Sequence, residues 1–452
     1  MAKAAKTRGI KPVRHGKLRR SSSVANLLRA FLSMILIATF SVIAVTTWAV
    51  LDLGGRVKTI DLTPDEDRQK PEKQFASVGD LNILLVGSDT RQGQSYDDGI
   101  ESELNDVTML ARISADKKRL TVISFSRDML VPFYGCKDTT TGEKISSSVP
   151  QQLNETLHYG MRCVVGTLEN LTGATIPYAA MITFDGVVNM SNAVGGVEVC
   201  LNKPIEDPNT DLSLPAGKVT LQGNNALQFL RTRYGVGDGG DVSRISNQQV
   251  FMSALMRSIQ SRGTLGNPQK VYQLAKTSLD NMKMSSNMAK IDFMQNLANT
   301  VRNIKTEDIN FVQYPAFTHP QNHNRLAPDE RAGDLLMKKV LADEPIEVAS
   351  AGAAAASARE SAESSTTTPE PPTTEPNASS NITGILQPDG SMLYSDGTLI
   401  NRAGTVVRRG SNPEAAQAAH AAAADGTGKK LPNNITGQNA ANVLCSTGRV
   451  RY

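Results

Sequence analysis

A long apolar segment near the N-terminus sets the first limit on the fold of this chain. The segment AFLSMILIATFSVIAVTTWAVL, Ala30 to Leu51, carries no charged residue. As a helix rising about 1.5 Å per residue, it can cross a hydrocarbon layer of roughly 30 Å. A cleaved signal peptide is the alternative, but the run exceeds the usual signal core and no small-residue cleavage site closes it. We therefore predict that residues 30–51 form a transmembrane helix.

Positive charge is concentrated ahead of this segment. Residues 1–29 hold nine Lys or Arg and no acidic residue, so the rest of the chain must carry −5 to give the formal total of +4. A Lys/Arg-rich flank is typical of the cytoplasmic side of a span and of contact with acidic lipids. A nucleic-acid arm is the alternative, but we expect no nucleic-acid partner. We predict a single-pass cell-membrane protein in which residues 1–29 are a basic cytoplasmic tail and residues 52–452 are extracellular.

The four cysteines all follow the predicted span. Cys136, Cys163, Cys200 and Cys445 would therefore lie in a compartment where disulfides persist. Four cysteines allow three pairings, and their spacing does not choose among them. The absence of a CxxC or Cys/His cluster argues against a zinc site.

Composition divides the remainder of the chain. Residues 52–78 are polar and unpatterned, which predicts a juxtamembrane linker. Strand and helix patterns fill residues 79–347, which predicts an α/β domain with a mixed central sheet flanked by helices. Residues 348–380 are rich in Ala, Ser, Thr and Pro, so a disordered linker is expected. Residues 381–452 are predicted to be a partly ordered or disordered C-terminal tail that offers no chemistry.

Several segments of this domain have clear patterns. LNILLVG is predicted to be a strand buried on both faces. VTMLARI and RLTVISFS are joined by the polar turn SADKK and are predicted to pair in antiparallel fashion. QQLNETLHYGMRCVVGTLENLTG predicts an amphipathic helix that stops at glycine. The segment DVSRISNQQVFMSALMRSIQ predicts a longer helix, with Asp241 at its N-cap.

The stretch RTRYGVGDGGDVSR combines glycines with arginines. Gly235, Gly237 and Gly240 satisfy G-x-G-x-x-G. No apolar strand precedes them, however, and no acid follows at the usual distance of about 20 residues, so a dinucleotide site is disfavoured. A P-loop is also excluded, because no Lys-Ser/Thr pair follows the glycines.

The arginines of this stretch suit an anionic ligand. Arg231 and Arg233 would project to one side if the segment were extended, and Arg244 would lie in the first turn of the next helix. Guanidinium groups bind phosphate oxygens in a bidentate way. A solvated surface loop is the alternative for any single arginine, but the combined pattern predicts a site for a phosphorylated ligand.

Further charged residues follow or precede the predicted strands. Asp89 and Arg91 come just after the first strand, Asp106 precedes the second, and Arg127 and Asp128 follow the third. If the first two strands are neighbours, Asp89 and Asp106 converge, and two carboxylates with substrate phosphates suit Mg²⁺. The alternative is that each acid caps a turn. The five histidines lie outside these clusters, which favours metal-assisted chemistry on phosphate over a Ser/His hydrolase.

The same motifs, taken in order, resemble the LytR-CpsA-Psr family over about Asn82 to Ile259. The motifs that carry this resemblance are NILLVGSDTR, NDVTML, VISFSRDMLVP, QLNETLHYG, FDGVVNMSNAVGGVEVCL and LQFLRTRYGVGDGGDVSRISNQQ. The resemblance implies an α/β/α domain that takes a glycopolymer from a polyprenyl pyrophosphate carrier and attaches it to peptidoglycan through a phosphodiester. It also implies pyrophosphatase activity for some members.

The resemblance assigns roles to individual residues. Asp89 and Asp106 match the family's magnesium-associated acids. The residues implied in catalysis or substrate binding besides these are Arg91, Arg127, Asp128, Asn154, Arg231, Arg233, Asp241, Arg244 and Gln248. Of these, the arginines Arg127, Arg231, Arg233 and Arg244 match those that hold the carrier's pyrophosphate.

This sequence departs from the family pattern at three positions. Ser126 replaces the proline of a PRD element, and Gln152 replaces the lysine of a KIN element. Leu104 stands where many members have an arginine, which removes one cation unless Arg91 or Arg112 substitutes for it.

The cysteines and the Ala-rich tail resemble the actinobacterial branch of the family. This implies an arabinogalactan-type polymer rather than teichoic acid, and a disulfide between Cys136 and Cys163. The expected protein is thus a phosphotransferase that uses a polyprenyl-pyrophosphate-linked donor and a peptidoglycan acceptor. A pyrophosphate hydrolase and a non-catalytic membrane-bound sensor are the alternatives.

Overall fold

The computed structural model describes part of the chain, in two compact units, Met1–Asp52 and Leu53–Tyr452. The described residues are 23–56, 58–60, 62, 81–90, 103–138, 141–145, 149–261, 267–348, 351–352, 354–357, 384–386, 391–394, 397–400, 406–411, 431–432 and 434–449. Most of the predicted basic tail, Arg91 and most of the predicted linkers lie outside them.

The described part of the first unit belongs to the helix α1, Ser23–Gly54, which contains the predicted span. Its segment Asn26–Leu53 has a mean hydropathy of 2.2 and is long and apolar enough to cross a membrane. Large apolar side chains such as Phe31 and Trp48 are 60% exposed, which suits contact with lipid rather than with a protein core.

The second unit contains the remaining helices and the strands. The helices are α2 (Met161–Thr172), α3 (Phe184–Val194), α4 (Asn224–Arg231), α5 (Asp241–Gln260), α6 (Pro268–Asn281), α7 (Ile291–Asn303) and α8 (Glu330–Leu341). The longer strands and those used below are β1 (Lys58–Ile60), β2 (Leu81–Ser88), β3 (Asn105–Ile113), β4 (Leu120–Phe125), β5 (Tyr178–Ile182), β6 (Val197–Leu201), β7 (Gly217–Leu221), β8 (Met282–Ser285), β9 (Ile309–Gln313), β10 (Ala316–His319), β11 (Asn322–Pro328), β12 (Ala355–Ser357), β13 (Gly384–Leu386), β14 (Met392–Tyr394), β15 (Leu399–Ile400), β16 (Val406–Arg408), β17 (Gly437–Asn439) and β18 (Leu444–Ser446). Short strands also pair Leu130–Val131 with Gln151–Gln152, Cys136–Lys137 with Lys144–Ile145, and Ile205–Asp207 with Leu212–Leu214.

The central sheet confirms the predicted mixed α/β architecture. Within the described residues its strand order is β1-β8-β5-β2-β3-β4-β9-β17. The strands β3 and β4 pair in antiparallel fashion as predicted, and β2 pairs with β3 in the same fashion. In contrast, β5 lies parallel to β2 and β9 lies parallel to β4. The first two predicted strands are therefore neighbours.

Both faces of this sheet are covered by helices. Leu84 and Val86 of β2 belong to one hydrophobic core, which also contains residues of α2 and α8. Ile83 lies in the opposite core with Phe293 of α7. Because side chains alternate along a strand, the continuous apolar run of β2 serves both cores.

The predicted helix over residues 151–173 is divided in two. A 3-10 turn occupies Leu153–Tyr159, and α2 begins only at Met161. Gly160 between them has φ 86°, a left-handed value that interrupts the helix. The predicted stop is confirmed, because Gly173 adopts the left-handed conformation and its N–H bonds to the carbonyl of Glu169.

The ordered unit extends beyond the predicted domain at both ends. Strand β1, from the predicted juxtamembrane linker, pairs with β8 at one edge of the central sheet. Strand β17, from the predicted C-terminal tail, pairs with β9 at the other edge. A second sheet has the order β7-β6-β18-β12, in which β12 comes from the predicted disordered linker. These segments pair through backbone hydrogen bonds, which composition does not reveal.

Two disulfides are present in this unit. Cys136 pairs with Cys163, as the family resemblance implied. Cys200 pairs with Cys445 across a sequence separation of 245 residues and joins β6 to β18.

Candidate active site

The predicted acids and arginines meet at one end of the central sheet. The antiparallel pairing of β2, β3 and β4 places the end of β2, the start of β3 and the end of β4 side by side. Asp89 follows β2, Asp106 lies at the start of β3, and Arg127 and Asp128 follow β4. Sheet topology therefore explains why residues far apart in sequence converge.

Arg127 contacts three aspartates. Its Nη1 donates to Asp106 Oδ1 at 2.5 Å, and its Nε lies 3.9 Å from carboxylate oxygens of Asp128 and Asp241. Burial alone would lower the pKa of Arg127, but the attraction of Asp106, Asp241 and Asp128 raises it above its usual value. Arg127 is thus a fixed cation at the centre of the cluster.

Asp128 connects this cluster to the glycine-rich stretch. Its Oδ2 lies 3.0 Å from Nη2 of Arg233. Its Oδ1 accepts a longer hydrogen bond, 3.4 Å, from Gln152, the residue that replaces the family lysine. Asp128 thereby holds Arg233 in place while one of its oxygens makes only long contacts.

Asp241 and Arg244 form a buried ion pair. Arg244 Nη2 lies 2.7 Å from Asp241 Oδ1 and donates to the backbone carbonyl of Asp106 at 2.8 Å. Burial would raise the pKa of Asp241, but Arg244, the hydroxyl of Ser126, and Arg127 lower it. Burial lowers the pKa of Arg244 against the pull of Asp241.

The prediction that Asp241 caps α5 is wrong. Gly240 occupies the N-cap, and Asp241 is the first helical residue. The carboxylate of Asp241 accepts hydrogen bonds from the hydroxyl of Ser126 and from the backbone N–H of Arg127. These partners, which follow β4, and the guanidinium group of Arg244 hold the carboxylate in place of the amides of its own helix.

Arg231 and Arg233 do not lie on one extended segment, so the condition under which they would project to one side is not met. Arg231 is the last residue of α4, and its guanidinium carbon lies 4.5 Å from the centre of the Phe184 ring. This is a cation–π contact, whereas Arg233 pairs with Asp128. The guanidinium group of Arg231 is therefore held by an aromatic ring and that of Arg233 by a carboxylate.

Glycines form the turn between the two sets of arginines. Gly237 and Gly239 have φ of 48° and 88°, values that favour glycine. The loop turns between α4 and α5, which places Arg233 at one end and Arg244 at the other.

Three guanidinium nitrogens in this cluster point to an absent anionic ligand. The Nε atoms of Arg127, Arg233 and Arg244 are buried and have no hydrogen-bond partner among the described residues. A buried N–H without an acceptor costs about 1–3 kcal/mol, so such donors are rare unless a ligand or water satisfies them. Phosphate oxygens fit this need.

An apolar cavity of about 250 Å³ opens beside the cluster. Central-sheet residues such as Leu85 and Ala180 form one wall, and side chains of α3, α4 and α5 form the other. Its polar lining residues include Ser88, Asp106, Arg231, Arg244 and Gln248. The cavity therefore joins a charged mouth to an almost wholly apolar interior.

Asp89 is positioned by the start of β3. Its Oδ1 accepts the N–H of Leu104 at 2.7 Å, and its own N–H donates to the carbonyl of Leu104. Asp89 and Asp106 thus flank one strand end, and both offer the hard oxygen atoms that Mg²⁺ prefers. No three His, Cys, Asp or Glu side chains gather as a metal site in the part of the chain that the structure describes. Magnesium binding by this pair stays a prediction.

One of the two predicted substitutes for the missing family arginine, Arg112, lies away from this cluster. Arg112 pairs with Asn82 at the opposite end of β3, where it bonds to Asp343 and to the carbonyl of Leu341. Arg112 therefore does not take the place of an arginine at position 104, and Arg91 lies outside the described residues.

The two predicted amide ligands differ in their availability. Gln248 lines the cavity but donates to the carbonyl of Leu230 at 2.9 Å, which ties α5 to the end of α4. Asn154 bonds through its backbone N–H to the carbonyl of Arg127, and its buried side-chain oxygen has no hydrogen-bond partner among the described residues. Both stay predicted ligands.

A family model described as LytR_cpsA_psr matches residues 51–333, which is more than half of the chain. The chain belongs to the LytR-CpsA-Psr family. The matched residues include the whole cluster around Arg127 and the apolar cavity.

Named relatives are found in several bacteria. The cell wall biosynthesis protein LcpA of Corynebacterium glutamicum is 32% identical over 44% of this chain and 44% of its own length. The polyisoprenyl-teichoic acid–peptidoglycan teichoic acid transferase TagU of Enterococcus faecalis is 27% identical over 54% of this chain and 76% of its own length. The chain spans about half the length of the corynebacterial relatives it matches. The LytR-Csp2A-Psr enzyme from Actinomyces oris has a TM-score of 0.47 and 18% identity, covering 63% of this chain and 96% of that one.

The structure adds supporting residues that the sequence did not single out for function. The ring of Phe184 packs against the guanidinium group of Arg231, and the hydroxyl of Ser126 donates to Asp241. Ser126 was noted only as a departure from the family pattern, and a hydroxyl in place of proline was the available signal. No local signal marked Phe184, which is an ordinary apolar residue at the start of a helix.

Proposed function

We propose that this protein is a phosphotransferase that moves a glycopolymer from a polyprenyl pyrophosphate carrier to peptidoglycan through a phosphodiester bond. The observation that carries the proposal is a cluster of arginines beside an apolar cavity, three of which have a buried Nε atom without a hydrogen-bond partner among the described residues. A polyprenyl pyrophosphate has the matching chemistry, an anionic head joined to an apolar tail. The names of LcpA and TagU support cell-wall assembly as the setting.

The arginines would bind the two phosphates and the cavity would hold the adjoining part of the polyprenyl chain. A hydroxyl oxygen of a peptidoglycan sugar attacks the polymer-side phosphorus, and the bond from that phosphorus to the bridging oxygen breaks. The electron pair and charge leave with polyprenyl monophosphate, while the hydroxyl proton passes to a base. Arg127, Arg233 and Arg244 stabilise the charge that accumulates on the phosphoryl oxygens.

We assign magnesium binding to Asp89 and Asp106. The four arginines Arg127, Arg231, Arg233 and Arg244 are balanced in formal charge by four aspartates, Asp89, Asp106, Asp128 and Asp241. The mouth is therefore close to neutral, and a pyrophosphate would find little excess positive charge there. A bound Mg²⁺ supplies two positive charges and polarises the phosphoryl oxygens.

Asp128 is our candidate for the general base. One of its oxygens is held by Arg233, and the other makes only the long contacts with Gln152 and Arg127. This second oxygen can accept the proton of the attacking hydroxyl while the first oxygen keeps its hydrogen bond from Arg233.

The apolar helix α1 supports attachment to a membrane. We propose that its basic N-terminal flank is cytoplasmic and that the catalytic unit is extracellular, where both the carrier headgroup and peptidoglycan are found. We favour an arabinogalactan-type polymer over teichoic acid, because the cysteines and the Ala-rich tail resemble the actinobacterial branch of the family.

Full-length protein in nanodiscs, incubated with a polyprenyl-pyrophosphate-linked saccharide, peptidoglycan and Mg²⁺, tests the proposal. We expect a phosphodiester-linked product and released polyprenyl monophosphate. Carrier release without attachment would support hydrolysis instead, with water in place of the sugar hydroxyl. Binding of the donor without either product would support a non-catalytic sensor. Removal of Mg²⁺ with EDTA should abolish transfer and be reversed by added Mg²⁺.

A further inference from the structure

A short segment near the C-terminus holds the loop that carries the site arginines. We call residues 444–449 the C-terminal strap and residues 232–240 the glycine loop. The N–H of Gly237 donates to the carbonyl of Thr447 at 3.1 Å, and the N–H of Arg449 donates to the carbonyl of Gly235 at 2.8 Å. Val236 and Gly448 form an antiparallel bridge between these two bonds. The strap is thus a backbone partner of the loop.

The side chain of Arg449 adds a contact further along the loop. Its Nη1 donates to the carbonyl of Asp238 at 2.8 Å. The carboxylate of Asp238 in turn accepts from the N–H of Gly240 and from the hydroxyl of Ser243, which lies next to Arg244. Arg449 therefore stabilises the part of the glycine loop that leads into α5.

The strap is itself firmly anchored at its start. Cys445 is disulfide-bonded to Cys200, and the carbonyl of Ser446 accepts the N–H of Asn202 at 3.0 Å. The hydroxyl of Ser446 donates to Asn247 of α5. The strap is therefore anchored both to β6 and to the helix that carries Arg244.

Gly448 makes this fit close. A Cβ atom at this position would lie 2.2 Å from the carbonyl oxygen of Pro204 and 2.3 Å from that of Lys203. Backbone oxygens of this kind cannot rotate out of the way, so any side chain must displace the strap.

We propose that the C-terminal strap positions the glycine loop for ligand binding, with Gly448 and Arg449 as positioning residues. Arg233 and Arg244 lie at the two sides of this loop, so its conformation sets their spacing. The strap lies beyond the family match, which ends at residue 333, and comes from the tail in which no chemistry was expected. The choice of pyrophosphate as the probe rests on the proposed function; the contacts between strap and loop do not.

Two measurements on the full-length chain in nanodiscs test this proposal. The first is the Kd of inorganic pyrophosphate with Mg²⁺, and the second is hydrogen–deuterium exchange of the peptides that cover the glycine loop. The variants are Gly448→Ala, Arg449→Ala and Arg449→Gln. Arg408→Ala is the matched control, because Arg408 also donates to a backbone carbonyl, that of Gly397, but in a different sheet.

We expect Gly448→Ala to raise the Kd by about 10-fold or more, because displacements of about 1 Å weaken positioned groups strongly. Arg449→Ala should raise it about 3- to 10-fold, the effect of losing a charged hydrogen bond. Both should speed exchange in the loop. Arg449→Gln keeps a donor and should recover part of the affinity, whereas Arg408→Ala should resemble the wild type.

The proposal is overturned if Gly448→Ala and Arg449→Ala retain wild-type loop exchange and affinity. It is also overturned if Arg449→Gln raises the Kd as much as Arg449→Ala does and both rises in Kd vanish at high salt. Arg449 would then act only through its charge. If wild-type protein fails to bind pyrophosphate, the proposed function is contradicted, and loop exchange alone still decides the role of the strap.

Discussion

The interior of the cavity and its mouth are built from different kinds of side chains. The interior is lined by apolar side chains of β2, β5 and helices α3 to α5, which pack mainly by shape. The mouth is built from charged residues on separate segments, and each arginine there has an acidic or aromatic support. Apolar packing tolerates changes that conserve volume, whereas a buried ion pair does not tolerate loss of one partner. Changes in these two regions should therefore separate the binding of the lipid from the binding of the pyrophosphate.

The largest effect is expected for Arg244→Ala at the mouth. This change leaves Asp241 buried without its main ion-pair partner, which typically costs about 3–5 kcal/mol in the free energy of unfolding. It also removes a phosphate donor, which should lower turnover by about 100-fold or more. Thermal unfolding and the transfer assay measure the two effects. Arg257→Ala on the same helix is the control, and equal turnover losses in both variants would contradict the assigned role of Arg244.

A bulky residue in the interior should affect only the lipid. Val187 lines the cavity on α3, and Val187→Trp should occupy the space of an isoprenoid unit. At about 0.8 kcal/mol per buried CH₂, we expect the Kd of geranylgeranyl pyrophosphate to rise roughly 10- to 100-fold. The Kd of inorganic pyrophosphate should stay near the wild-type value. A similar rise for both ligands would show that the two regions are not separable.

A moderate effect is expected for Ser126→Ala, which removes a hydrogen bond to a charged group. Such bonds contribute about 1.5–3 kcal/mol, so we expect roughly 10-fold weaker pyrophosphate binding and a lower free energy of unfolding. Ser126→Thr keeps the hydroxyl and should recover much of the loss.

The stability difference between wild type and Ser126→Ala should also depend on pH. The hydroxyl of Ser126 helps lower the pKa of Asp241 below its usual 3.8 in the folded protein. A lowered folded-state pKa gives stability that is present above the unfolded pKa and is lost as the pH falls through the folded value. The difference should therefore be constant near neutral pH and shrink below about pH 4. Denaturant titrations across this range measure it, and a pH-independent difference would contradict this account.

The smallest effect is expected for Phe184→Leu, which keeps an apolar side chain but removes the ring beneath Arg231. A partly exposed cation–π contact contributes about 0.5–1 kcal/mol, so the Kd of pyrophosphate should rise about 2- to 5-fold. Phe184→Tyr should bind like the wild type. Loss of affinity in Phe184→Tyr equal to that in Phe184→Leu would exclude the ring as the support of Arg231.

Much of the fold could be predicted because its signals are local. The apolar run of β2 and the polar turn between β3 and β4 predict neighbouring strands, and their pairing brings Asp89 and Asp106 to one sheet end. The remaining supports depend on contacts between distant segments. Neither the stacking of Arg231 on Phe184 nor the bond from Ser126 to Asp241 leaves a periodic pattern in the sequence. The position of Asp241 was predicted wrongly because a helix-start acid resembles a cap unless its distant partners are known.

The pairing of β17 with β9 has a consequence for how the protein is made. Strand β9 is buried in the region that we propose is extracellular, yet its second neighbour, Gly437–Asn439, comes more than a hundred residues later. A chain whose N-terminal flank stays cytoplasmic, as proposed, moves β9 across the membrane before β17. Strand β9 then exposes an open sheet edge until this late segment emerges. The glycine loop lacks its strap over the same interval. If the unit is exported as proposed, maturation of the site depends on completion of export, and a stalled chain would present a folded but unfinished domain at the cell surface.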